Sequence, residues 1–96
     1  MYNDSASFEW DIQKNHENNR KHGISFEDAQ EVFFDKRRVV LVDDQHSDDE
    51  RRLYCIGKTP KGIITVRYTM RGEIVRIFGA GLWRKGKKLY ESRRDH

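Results

Sequence analysis

The sequence predicts an α+β domain, and three observations carry the prediction. Two short helical stretches bounded by cap residues open the chain, three runs rich in Ile, Val, Thr and Tyr fill its middle, and a basic segment with helical spacing closes it. The expected layout is a short strand, two N-terminal helices, an antiparallel sheet of about four strands and a C-terminal helix. Residues 1–96 are read as one domain, with 1–7 flexible.

Asp11 is a good N-cap for a first helix running to about His22, and Gly23 suits the left-handed position that ends one. Ser25 starts a second helix, with Asp28 three residues on making an approximate capping box and Phe26, Ala29, Val32 and Phe33 forming an apolar stripe. Asp35 to Arg38 is a polar turn, and Val39 to Val42 has strand propensity. The acidic segment Asp43 to Glu50, which contains His46 and Ser47, has turn composition and reads as a solvated loop. Leu53 to Gly57, Ile63 to Met70 and Ile74 to Phe78 follow as three antiparallel strands, punctuated at Thr59-Pro60-Lys61-Gly62 and at Arg71-Gly72. From Trp83 to Arg94 the spacing of Trp83, Leu89 and Tyr90 predicts a last helix, although Gly86 weakens its first turn. There is no internal repeat and no low-complexity linker.

A chain of 96 residues builds only a small core. With 36% charged and 35% hydrophobic residues, a partner is expected to bury further surface. Cys55 is the single cysteine, so no intrachain disulfide can form, and its place in an apolar strand makes it a small core residue. No apolar run approaches the roughly 18 residues of a membrane span, and the opening YNDSAS lacks the apolar core of a signal peptide. A cytoplasmic protein without membrane contact is expected. The charge is unevenly placed: residues 1 to 50 carry 6 basic and 13 acidic side chains, and residues 51 to 96 carry 13 basic and 3 acidic. Such a basic half suits a polyphosphate or an acidic protein and does not distinguish them.

Phe8, Trp10, Asp11, Lys14, Asn18, Lys21, His22, Gly23, Phe26, Ala29 and Phe33, at these spacings, resemble the opening of the BrnT family, toxins of bacterial type II toxin-antitoxin pairs. The similarity continues through Arg52, Gly57, Tyr68-Thr69, Arg71, Arg76 and Tyr90, so it covers nearly everything after residue 7. The resemblance implies a small RelE-like fold, with helices on one face of an antiparallel sheet and RNA on the other. It implies a ribonuclease that arrests translation by cleaving RNA. It also implies a BrnA-like ribbon-helix-helix antitoxin as partner, operator DNA reached only through that complex, and a toxin dimer within it. The chain departs from the family where many members carry an Ile-Ser-Ala-Arg-like string after the last strand and a glutamate in the closing helix. Here Phe78-Gly79-Ala80-Gly81 and Lys87 stand there, so no catalytic role transfers to Gly79 or Gly81.

If Arg71-Gly72 is a two-residue turn, Met70 faces Glu73, Tyr68 faces Val75 and Arg67 faces Arg76. Alternation then buries Ile64, Val66, Tyr68, Val75 and Ile77 and puts Thr65, Arg67, Thr69, Ile74, Arg76 and Phe78 on the other face. Two opposed arginines ask for a compensating acid or an anionic ligand, unless both splay into water or a longer turn shifts the register. Cleaving RNA without metal requires activating a 2′-hydroxyl, stabilising charge at phosphorus and protonating the leaving 5′-oxygen. Arg67 and Arg76 are the candidates for the second task. His22 and Tyr68 are candidates for proton transfer, with His22 equally placed to act as a C-cap. Lys21, Trp83, Arg84, Lys85 and Tyr90 are candidates for holding RNA by stacking and by phosphate contacts, while Trp83 and Tyr90 alternatively dock the last helix on the sheet. No metal or other cofactor is expected: His16 and His22 lie on different helix faces, and His46 lacks a recognisable ligand spacing. The rival readings are a non-catalytic antitoxin-binding co-repressor and a general RNA-binding domain.

Overall fold

In the computed structural model, which describes residues 7–47 and 49–94, the chain begins as a strand, β1 (Ser7–Trp10), and turns at once into a helix, α1 (Ile12–His22). The expected flexible segment lies, apart from Ser7, outside the described residues. Asp11 caps α1 by accepting from the backbone N–H groups of Gln13 at 2.8 Å and Lys14 at 3.1 Å. Gly23, at φ 70°, ends it in the left-handed conformation. The capping box at Ser25 is also present, with Ser25 Oγ accepting from Asp28 N and the Asp28 carboxylate accepting from Ser25 N. The second helix is shorter in α form than its apolar stripe suggests. A single turn, α2 (Phe26–Ala29), tightens into a 3-10 helix, Gln30–Phe34, that lies directly on the sheet. A Cβ on Gly57 would come within 2.8 Å of Val32, so a glycine is what allows this close approach.

Strands β2 (Val39–Val42), β3 (Leu53–Thr59), β4 (Gly62–Arg71) and β5 (Ile74–Gly81) form the expected antiparallel sheet. The expectation of four strands is corrected by β1, which joins the edge parallel to β5 and gives a mixed sheet of order β1-β5-β4-β3-β2. The apolar side of β1 explains its recruitment. The rings of Phe8 and Phe33 sit 5.4 Å apart and those of Trp10 and Phe26 6.0 Å apart, closing the end of the core. Where β1 stops, α1 takes its place along β5. Asn18 donates to Ala80 O at 3.0 Å and accepts from Ala80 N at 3.3 Å, supplying the strand edge with the pair of bonds a neighbouring strand would give.

The register of the β4–β5 hairpin is also corrected. The two turn residues are Gly72 and Glu73, because Gly72 takes the positive φ, 62°, that such a turn requires. Arg71 therefore faces Ile74 and Thr69 faces Arg76. Beyond Tyr68, which faces Ile77, Phe78 is an extra residue in β5, and Arg67 faces Gly79. The two arginines do not oppose each other.

The predicted inward set, Ile64, Val66, Tyr68, Val75 and Ile77, is buried against Phe26, Ala29, Val32 and Phe33. Cys55 is buried in the same core, and burial pushes its thiol up to about 12. The last helix, α3 (Arg84–Arg94), lies across the opposite face, where Tyr90 joins Val39 and Ile56 in a second, smaller cluster. Helices thus cover parts of both faces, not one. Gly86 belongs in this helix because a Cβ there would run into Thr65 Oγ1 on β4. The hydroxyl of Tyr90 donates to Asp35 at 2.6 Å, tying α3 to the turn before β2.

Burial raises the Asp35 carboxyl, but the Tyr90 hydroxyl and the backbone N–H groups of Lys58 and Arg37 outweigh that and hold it below the usual carboxylate value. A carboxyl depressed in the folded state stabilises above its unfolded value and loses that contribution as pH falls through its folded one. Tyr90→Phe is therefore expected to cost about 1–2 kcal/mol at neutral pH. In thermal unfolding followed across pH, the gap between variant and wild type should close below about pH 4.

Candidate functional site

Part of the outer sheet face, between α3 and β1, stays uncovered and carries the polar side chains of the three central strands. Its centre is Arg67 on β4. The guanidinium lies over Gly79, where a Cβ would stand 2.8 Å from Nη2. It is 5.9 Å from the ring of Trp83, which packs edge-on to Tyr54 of β3 at 6.2 Å. Gly81 makes the matching space for the indole, since a Cβ there would be 3.0 Å from its Nε1. Trp83, 38% exposed, and Tyr54 together line a groove of about 430 Å³ between β2 and α3, with Lys85 at its rim.

Neighbouring cations on this face are paired. Arg76 Nη1 lies 2.9 Å from Glu9, its partner across the β1–β5 pairing. Arg71 reaches both Glu9 at 3.9 Å and Glu50 at 3.8 Å, and Arg52 lies 4.0 Å from Glu50 and 4.3 Å above the ring of Phe78. Such partly exposed pairs add little stability each, but together they fix three arginines in place. Glu9 is the compensating acid expected for Arg76. Arg67 differs: among the described residues no carboxylate lies within ion-pair distance of it, and its Nε is buried without a hydrogen-bond partner.

At the other side of Tyr54, the start of the segment read as a solvated loop, residues 43–47, folds around a carboxylate. Asp43 continues the inward alternation of Val39 and Leu41 past the end of β2 and is only 7% exposed. Its Oδ2 is 2.9 Å from Nδ1 of His46, whose side chain is 57% exposed at the end of the 3-10 turn Asp44–His46. Ser47 fastens the loop, donating to Asp43 O at 2.6 Å and accepting from Arg52 N at 2.9 Å. Burial raises the Asp43 carboxyl, and hydrogen bonds with His46 and Tyr54 outweigh it and hold the group below its ordinary value. Burial, together with Asp43's charge and hydrogen bond, pushes the Tyr54 phenol up against the opposing effect of Arg67. Tyr54 is thereby kept as a phenol, a donor and not a base.

Of the candidate residues, Arg67, Arg76 and Trp83 share this face, with Arg84 and Lys85 exposed in the first turn of α3 beside it. Tyr68 points to the other face, 3% exposed, with its ring edge-on to Phe33 at 4.9 Å. Tyr90 is buried in the α3 contact. Lys21 and His22 occupy the last, exposed turn of α1, next to Gly23, whose carbonyl accepts from Lys61 in the β3–β4 turn. Arg67 lies about 17 Å up β4 from that turn at ordinary strand rise. Sequence reasoning missed Tyr54, Asp43 and His46. The available signal was the period-2 pattern Val39, Leu41, Asp43, which puts a carboxylate at an inward strand position three residues before a histidine.

The fold and the candidate site define a small α+β domain with an arginine seated beside aromatic side chains on one sheet face. A family model described as the ribonuclease toxin BrnT of type II toxin-antitoxin systems matches residues 10–86. The chain belongs to the BrnT family, and a toxin of this kind has an antitoxin partner. No curated protein matches the chain. No described helix is long and apolar enough to cross a membrane.

Gly79→Ala tests the cradle. The atoms that a new methyl meets are the far end of a flexible side chain, so unfolding free energy should change by less than about 1 kcal/mol. The Arg67 guanidinium should nevertheless move, seen as a shifted Arg67 Nε–Hε resonance in ¹⁵N-correlated NMR while the core resonances stay in place.

Proposed function

We propose that this chain is an endoribonuclease that inhibits translation by cleaving RNA, working in the cytoplasm without a metal ion and neutralised by a BrnA-like ribbon-helix-helix antitoxin. The observation that carries the reading is Arg67, an unpaired guanidinium on a face where the neighbouring arginines are neutralised. A scissile phosphate is the anion this site suits. As the 2′-oxygen attacks and the bond to the 5′-oxygen breaks, negative charge grows on the non-bridging oxygens, and a fixed guanidinium lowers that barrier. Trp83 and Tyr54 offer a stacking surface for an adjacent base, and Arg84 and Lys85 continue the cationic track along the strand. Arg76, held by Glu9, shapes the face rather than supplying free charge.

Cleavage of purified cellular RNA in EDTA tests the reading. Wild type should give defined fragments, and Arg67→Ala should be slower by on the order of 10²–10³-fold with an unchanged melting temperature. Arg67→Lys should restore only part of the rate, because an ammonium cannot present the planar fork of donors. Arg76→Ala should act mainly on stability, by about 0.5–1 kcal/mol through the partner left on Glu9. RNA left intact by wild type, together with tight antitoxin binding, would favour the co-repressor reading.

A further inference from the structure

We infer that His46, positioned by Asp43, is the proton acceptor for the attacking 2′-hydroxyl. The inference deepens the nuclease reading above and rests on it. His46 is an exposed imidazole whose Nδ1 is engaged by a buried carboxylate, which leaves Nε2 as the ring nitrogen available to a ligand. The arrangement is built: the loop is closed by Ser47, and the Tyr54 phenol lies close enough to Asp43 for the two to shift each other's titration. Tyr54 is the cross-strand neighbour of Arg67, so one carboxylate and one phenol separate the imidazole from the guanidinium. A phosphate seated on Arg67 brings its own ribose, and the 2′-hydroxyl of that ribose is the nucleophile.

In the step, Nε2 of neutral His46 takes the 2′-hydroxyl proton while the 2′-oxygen bonds to phosphorus. The bond from phosphorus to the 5′-oxygen breaks, its electron pair stays on that oxygen, and water protonates it. The products are a 2′,3′-cyclic phosphate and a free 5′-hydroxyl. Asp43 stabilises the imidazolium as it forms and fixes the ring's tautomer, which makes it a positioning residue. Among the described residues, the charged and titratable groups around the turn are Asp43 and Asp44 from its own segment, Asp49, Glu50, Arg51 and Arg52 from the loop's return, Tyr54 from β3 and Arg67 from β4. Tyr54, kept as a phenol, does not compete for the role.

The test is the single-turnover rate of cleavage of a short single-stranded RNA between pH 5 and 9 by wild type, His46→Ala, Asp43→Asn and Asp44→Asn, with thermal unfolding of each. The wild-type rate should rise with pH through the range where imidazoles change charge and then level. His46→Ala should be at least about 100-fold slower on the plateau, should lack the rise, and should regain rate when free imidazole is added. Asp43→Asn should lower the plateau rate without rescue by free imidazole, because the ring is still present but has lost the carboxylate that fixes its tautomer. Asp44→Asn, exposed in the same turn, should behave as wild type. Wild-type cleavage with an unchanged rate and pH profile in His46→Ala would overturn the inference and leave the nuclease reading standing. An inactive wild type would overturn both.

Discussion

One extra residue in β5 decides what the open face of the sheet can do. From Ile74 to Ile77 the strand alternates in step with β4, and Val75 and Ile77 enter the core. Without the bulge at Phe78, continued alternation would send Gly79 and Gly81 inward and put Ala80 on the open face. With it, Ala80 is buried in the core and both glycines lie on the outer side, under Arg67 and beside Trp83. The bulge is held from both ends. Glu9 bonds Arg76 just before it, and Asn18 takes both backbone bonds of Ala80 just after it. β1 and α1 therefore serve the site although they contribute no group to its centre.

The uneven charge along the chain has a structural use distinct from a uniformly basic face. Acids from the first half fold onto bases from the second: Glu9 onto Arg76 and Arg71, Glu50 onto Arg71 and Arg52, and Asp28 onto Lys61 at 2.8 Å. Arg67 on the open face and Arg84 and Lys85 in the first turn of α3 are among the bases outside these pairs. On the open part of the sheet face, attraction for a polyanion would thus centre on Arg67, beside Trp83 and Tyr54. That concentration matters for chemistry, since a guanidinium already paired with a carboxylate has less to offer a phosphate.

Features set by neighbours in sequence were legible. Asp11, Gly23 and Ser25 announced the two helix starts and the stop between them, and the alternation of Ile64, Val66, Tyr68, Val75 and Ile77 announced the core. Features set by distant neighbours were not. Nothing local in Ser7–Trp10 says that it pairs in parallel with a strand more than 60 residues later. The positive φ of Gly72 shifted the hairpin by one residue, and the bulge shifted it again, so two arginines expected face to face are separated by the fold. Asp43 was hidden by composition: four of its near neighbours are acidic, which disguised one inward-facing carboxylate as part of a solvated run. At the candidate site, accordingly, Arg67, Arg76 and Trp83 were readable as a face, but the Asp43–His46 pair beside it was not.

Gly79 and Gly81 bring these threads together. Read as a string, Phe78-Gly79-Ala80-Gly81 is a loss of polar groups where a nuclease of this family would be expected to carry them. In the fold the same two positions are the floor on which a guanidinium and an indole rest, each within about a van der Waals contact of the missing Cβ. A larger side chain at 79 would compete with Arg67 for one space, and at 81 with Trp83. Absence of side chains on β5 and presence of a seated arginine on β4 are consequently a single arrangement. In the proposed nuclease, charge at this surface would then come from across the hairpin and from the start of α3, and proton transfer from an element beside Tyr54. The Asp43–His46 turn is the element proposed for that step.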